Sequence, residues 1–450
     1  MLKVNFTKMF LLFALGVTAS MCAAQTVTTL ASFDGANGTK PYFGPLVQGP
    51  NGKLYGMTFG GGAGNNYGGT VFEIDAAGKL HTLYSFCTQT NCSDGEGPYD
   101  GLIVGSNGNL YGTTGYGGIS SNCTSPTGVG CGTIFEVTPG GQLTTLYNFC
   151  SQANCFDGST PQAGLMLARN GNFYGTTNGG GITGPSGTSG GTIFVITPAG
   201  KMTTIYRFCS EINSQGSCSD GQAPNARLVQ AGNGNLYGTT VLGGANSAGT
   251  VFEISPAGKL TTLYNFCSQR NSSGFCADGE LPNAAMVKGS DGNLYGTTAN
   301  GGSTGNGSVF VITPTGGLTT LYSFCSQANC ADGTSPEAML VQAKNGNFYG
   351  TTLMGGTSQH CTFSGVVLGC GTVFEITPSG SLTTLHSFCA HGCADGEYPY
   401  GGLVQAANGR FYGTANAGGD MNCDEGNGCG TVFSFSARPA QSIERHPTTN

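Results

Sequence analysis

One motif, present in seven copies, constrains this chain more than any other feature. Variants of N-G-N-L-Y-G-T-T place tyrosines at Tyr55, Tyr111, Tyr174, Tyr237, Tyr295, Tyr349 and Tyr412, at intervals of 54 to 63 residues. After each copy come a Gly-rich stretch of variable length, a run such as GTVFEITP, a Gly turn and a run such as LTTLYSF. A loop containing Asp-Gly leads into an apolar run such as GLIVG, and the next copy begins. Internal periods longer than about 20 residues belong to solenoids, propellers and arrays.

Each unit reads as four strands. In 101–149 the runs GLIVG, NLYGTT, TIFEVT and LTTLYNF are rich in β-branched and aromatic residues and are separated by Asn-Gly, Pro-Gly and Gly-Gly. No 3.6-residue periodicity competes with them. The 80 glycines of 450 residues follow no G-x-y period, which excludes collagen. With 9% charged and 38% apolar residues, neither a charged disordered chain nor a membrane bundle fits. Seven four-stranded units predict an all-β, seven-bladed β-propeller, whereas a β-solenoid uses coils usually shorter than about 30 residues.

The ends of the chain predict how the ring closes. The seventh unit stops after GTVFSFS (430–436) and lacks an LTTLYSF strand, while VTTLASF (27–33) stands alone before the first unit. Placed as the outer strand of the last blade, that orphan removes an exposed sheet edge. With strands a to d counted from the axis outward, the b–c and d–a loops share one face. The other face carries short, uniform turns. All variable segments lie on the first face, so binding is expected there.

The order Lys3 and Lys8, the apolar run MFLLFALGV, then CAA ending at Ala24 is that of a secretory signal over 1–24. The run is too short to span a bilayer. Acylation of Cys22 would make a lipoprotein, but the preceding Ala-Ser-Met fits that signal poorly. Removing the signal shifts the net charge from −7 to −9, which argues against a nucleic-acid partner. The expected organisation is a signal at 1–24, one propeller over 25–436 and a polar tail at 437–450.

Eighteen cysteines remain, and they fall into near-neighbour pairs: Cys87–Cys92, Cys123–Cys131, Cys150–Cys155, Cys209–Cys218, Cys267–Cys276, Cys325–Cys330, Cys361–Cys370, Cys389–Cys393 and Cys423–Cys429. In an exported chain that pattern reads as disulfides. Zinc is the rival, but C-x-x-C knuckles are absent, and His81, His360, His386, His391 and His446 do not cluster in sequence.

The combined units N-G-N-L-Y-G-T-T, G-T-V-F-E-I-T-P-x-G and L-T-T-L-Y-S-F resemble the Gloeo/Verruco-type tandem repeat of exported bacterial "choice-of-anchor" proteins, over about residues 27–436. The resemblance implies an exported bacterial repeat protein and carries no catalytic residues. Relatives often end in an anchoring segment. This chain ends ARPAQSIERHPTTN, polar and without an apolar tail, so secretion or an extracytoplasmic location without a membrane span is expected.

Several residues invite a chemical reading. Asp-Gly occurs in every d–a loop, at Asp34, Asp94, Asp157, Asp220, Asp278, Asp332 and Asp395. An Asx-type turn explains it, with the carboxylate capping backbone amides. A ring of oxygen ligands for Ca²⁺ or sugar hydroxyls is the alternative, although calcium wants six to eight oxygens and no EF-hand-like series is present. Glu73, Glu136, Glu253 and Glu375 recur in strand c. Two carboxylates could serve glycoside hydrolysis, but equivalent positions give nothing to separate an acid from a nucleophile. The repeated tyrosines read as interblade packing, and the glycine after each as a point of close approach between blades.

G-x-S-x-G, H-E-x-x-H and P-loop signatures are all absent, and an unrepeated site would be sought in the insertions 178–191 and 356–371. The sequence thus favours a non-catalytic exported binding or scaffold propeller without a cofactor, its ligand a glycan or envelope component on the stapled face. The alternatives are an extracellular polysaccharide hydrolase or lyase with a site near the axis, and a structural surface protein.

Overall fold

The computed structural model describes residues 27–437 apart from 64–67, 126–127, 186 and 364–365. The expected signal at 1–24, and the tail beyond 437, lie outside the described residues. Seven four-stranded antiparallel sheets form a β-propeller. Six run through consecutive strands a to d, as in Leu110–Thr114 followed by Thr133–Val137 and Leu143–Asn148 after the inner Ile103–Val104. Two extra hairpins, Thr124–Ser125 with Gly128–Val129 and Thr362–Phe363 with Val366–Val367, lie in b–c loops.

The seventh sheet combines Val404–Gln405, Arg410–Ala415 and Thr431–Ser436 with Thr28–Ser32 from the other end of the chain. Thr28 pairs with Ser434 and Ser32 with Thr431, so the predicted closure is present. The match extends to detail. Every c–d pair carries one bulge, after Ile134 in the second blade for example, and Thr28–Ser32 carries its own between Thr29 and Ala31. Six of the seven bulged carbonyls sit beneath the c–d turn of the next blade, the exception being Leu385, since the seventh blade has no c–d turn. A Cβ on Gly141 would lie 2.5 Å from the Leu83 carbonyl oxygen, and its φ of +83° also favours glycine.

Strand a is shorter than expected, two residues in each blade. The residue leading into it, such as Leu102 or Leu165, turns into the interblade core instead of extending the ladder. That core is aromatic. The phenylalanine ending strand d of one blade meets the strand-c phenylalanine of the next edge to face, from Phe86–Phe135 at 5.0 Å to Phe33–Phe72 at 5.1 Å across the closure. All of these rings are fully buried.

This packing corrects the reading of the glycine in Y-G-T-T. A Cβ on Gly112 would lie 2.7 Å from Cζ of Phe135 on the neighbouring strand of its own blade. The glycine makes room for the ring that bridges blades, rather than for a neighbouring backbone. The tyrosines do pack between blades, with Tyr111 4.3 Å from Phe173 and Tyr295 4.0 Å from Phe348. The two threonines divide the remaining work. Thr113 donates to the Ala163 carbonyl of the next blade at 3.0 Å, and Thr114 pairs with Thr133 at 2.9 Å within its own.

Candidate binding site at the propeller axis

The loop face is stapled by nine sequence-local disulfides, paired as the sequence predicts. Cys123–Cys131 and Cys150–Cys155 lie side by side, their four sulfurs within 4.8 Å of one another. Zinc needs thiolates, and here each sulfur is in a bridge. The most exposed large apolar side chains among the described residues, Ile119, Phe156, Phe275, Val366 and Met421 among them, all belong to b–c or d–a loops. Both the variation and the exposed apolar surface are confined to this face.

The repeated aspartates lie beneath it, and most are buried. Asp157 Oδ2 accepts from the Tyr147 hydroxyl at 2.8 Å and from the Ser151 amide and hydroxyl at 2.8 and 2.9 Å. Its Oδ1 accepts from the Gln152 amide at 3.1 Å. Asp94, Asp220, Asp278 and Asp332 repeat the arrangement with the tyrosine of their own strand d. In the sixth blade His386 replaces that tyrosine, its Nε2 2.8 Å from Asp395 Oδ2.

Asp34 departs from the series. The glycine packed on the buried threonine pair is Gly38 in the first loop, where Gly95 and Gly158 hold the place in the next two. The counterpart of Asp94 is therefore Asn37, while Asp34 only exchanges hydrogen bonds with Asn37 at 2.9 and 3.0 Å. The proline marks the correct register, because Pro41 follows Asn37 at the offset by which Pro98 follows Asp94.

The strand-c glutamates sit on the opposite face. Glu136 Oε1 accepts from Asn107, Asn109 and the Tyr111 hydroxyl at 2.6 to 2.9 Å. Burial opposes ionisation there, but these three donors outweigh it and hold the carboxyl below its usual range. Glu253 and Glu375 repeat the network, and Glu73 bonds Lys53. These groups close the a–b turns and do not reach the loop-face axis.

At that axis lies a cavity of about 240 Å³. It is lined where the chain, after a buried proline, enters strand a of the first six blades, and Tyr400 of the seventh packs beside it on Tyr42. The residues after those prolines make a collar: Tyr42, Tyr99, Gln162, Asn225, Asn283, Glu337 and Tyr400. The collar is split by polarity. Three consecutive blades, the seventh, first and second, supply tyrosines, and the other four supply hydrogen-bonding side chains. Tyr42 stacks on Tyr400 at 4.8 Å and meets Tyr99 edge on at 5.8 Å, with Phe43 and Phe59 packed beside them.

On the polar side Arg227 lies 3.4 Å from Asp100 and donates to the Gly101 carbonyl at 2.9 Å. The space for Arg227 exists because residue 164 is glycine, whose Cβ would collide with the guanidinium. Asp100 also accepts from the amides of Gly101 and Gly164. Burial pushes the Glu337 carboxyl up to about 7, against a hydrogen bond from Asn283. Burial likewise raises Tyr42, Tyr99 and Tyr400, and the Glu337 charge adds to this at Tyr42 and Tyr400.

The insertions 178–191 and 356–371, where the sequence places an unrepeated site, contribute nothing to the lining, which comes from the three residues after each proline of the first six blades. A signal was present: the proline recurs at a fixed place in each unit, and the residue after it is Tyr, Tyr, Gln, Asn, Asn, Glu and Tyr in turn.

The described residues contain no helix long and apolar enough to cross a membrane. The sequence matches the Gloeobacter/Verrucomicrobia repeat over residues 13–219 and 210–364, most of the chain. The chain belongs to this repeat family. No curated protein matches it. Solved structures similar to this repeat protein include the PQQ-bound aldose sugar dehydrogenase of Streptomyces coelicolor, at 14% identity over 91% of this chain and 98% of that one, TM-score 0.43. A protein of unknown function from Dyadobacter fermentans shares 9% over 92% and 99%, TM-score 0.46. A luciferin-regenerating enzyme shares 10% over 92% and 96%, TM-score 0.42. At such identities the likeness concerns the fold and says nothing of ligand or reaction.

Proposed function

We propose that this protein is an exported, non-catalytic propeller that binds a carbohydrate at the axial mouth of its stapled face. The observation that carries the reading is the collar, aromatic on three consecutive blades and hydrogen-bonding on the other four. Sugars present flat C–H faces that pack on aromatic rings and a rim of hydroxyls that amide and carboxyl groups can bond. Asn225, Asn283 and Gln162 supply amides, each able to donate and accept. Nine disulfides and the signal-like N-terminus support export.

Ser, Cys and His are missing from the cavity lining, and Asp100 is engaged by Arg227 and two amides. That leaves Glu337 without a second free carboxyl partner for glycoside hydrolysis. The enzyme reading retains one supporting observation, the raised Glu337 carboxyl, which suits a general acid.

A glycan array run beside a hydrolase and lyase panel tests both. The expected result is glycan binding without turnover, weakened about tenfold or more by Tyr99→Ala and unchanged by Glu136→Gln on the opposite face. Turnover of any polysaccharide overturns the binding reading.

The repeated aspartates are, in this reading, turn formers and not calcium ligands. Asp157→Ala strands four donors in a buried site, so urea unfolding should show a loss of about 3–4 kcal/mol. Asp157→Asn keeps part of the network and should lose less. Saturating calcium is expected to shift neither midpoint, and a calcium-dependent gain that disappears in the variants would return these residues to the metal reading.

A further inference from the structure

Charge within the collar is settled unevenly. Arg227 and Asp100 compensate each other, and both are further engaged by neighbouring backbone. Glu337 has no such partner, because none of the ion pairs among the described residues includes it. The groups that act on it from the packed segments are Tyr42 of the first blade, Tyr400 of the seventh and Asn283 of the fifth, and none is cationic. A half-buried carboxyl thus borders a cavity beside aromatic rings and lacks a counter-ion.

That combination recognises ammonium groups, which are drawn both to a carboxylate and to the faces of aromatic rings. We propose that the sugar bound at the axial mouth carries an amine, with its ammonium seated between the Glu337 carboxylate and the Tyr42 ring. The inference rests on the collar being a carbohydrate site. It has a consequence for protons. Burial keeps Glu337 largely protonated below neutral pH, and an ammonium beside it favours the ionised form, so binding there displaces a proton to solvent.

Titration calorimetry with oligosaccharides of glucosamine and their fully N-acetylated counterparts tests this at pH 6, in two buffers of different ionisation heat. The amine form should bind about tenfold tighter and release up to one proton. Glu337→Gln should abolish both the preference and the buffer-dependent heat, so that the variant binds the amine and N-acetylated ligands with equal affinity. Equal affinity for the two ligands, or a preference that survives Glu337→Gln, overturns the inference and leaves the collar as a neutral-sugar site. Binding by neither ligand, or binding indifferent to Tyr42→Ala, overturns the collar reading itself.

Discussion

Removal of residues 27–33 should make the propeller aggregate. The last blade would lose its outer strand and leave Thr431–Ser436 with an unpaired edge, which templates pairing with other chains. The amide of Phe33 also bonds the Gly430 carbonyl of that blade at 2.9 Å, and the first blade would lose packing, because Phe33 is fully buried against Phe72. The point variant Phe33→Ala isolates the aromatic part and should cost about 3–5 kcal/mol. Light scattering after size exclusion and urea unfolding measure the two effects. A truncated protein that stays monomeric with an unchanged midpoint would show that the ring does not depend on this closure. A synthetic peptide of sequence VTTLASF, added in trans, should partly restore the monomer, since the vacated edge accepts an added strand.

The second large effect is a gain of stability at the candidate site. Glu337 has a carboxyl raised by burial from 4.5 to about 7. Between those values the folded protein keeps a proton that the unfolded chain has released. Stability therefore falls as pH rises from about 4.5 to about 7, and the loss persists above that. The shift corresponds to at most about 3 kcal/mol. Glu337→Gln should match the parent at pH 4, where both side chains are neutral, and be about 2–3 kcal/mol more stable at pH 8. Parallel stability profiles for the two proteins would show that the carboxyl is not desolvated. A group that costs stability and has no counter-ion fits a binding role better than a scaffolding one.

The nine cysteine pairs support the proposed exported location more than the fold does. The stapled loops give the face its rigidity, while the short turns opposite are closed by the asparagine–glutamate networks. Rigidity on the loop side would lower the ordering cost of the proposed binding at the collar.

Blade number, strand number and the closing strand were legible in the chain because all three are written locally. Seven motif copies, four alternating runs per copy and one orphan VTTLASF need no knowledge of what touches what. The cysteine pairs were legible for the same reason, since each bridge closes a short loop. Where partners lie in different blades, sequence spacing was silent. The glycine of Y-G-T-T was matched to the wrong neighbour, because Phe135 reaches it from across the sheet. Asp34 was aligned with Asp94 by its Asp-Gly pair, although packing gives that place to Asn37. The collar was missed because its members stand about 60 residues apart and meet only when the ring closes around an axis. A repeat defines each blade by contacts close in sequence. The candidate site draws on positions that the repeat leaves free to vary, and only the circular arrangement of the blades brings those side chains together.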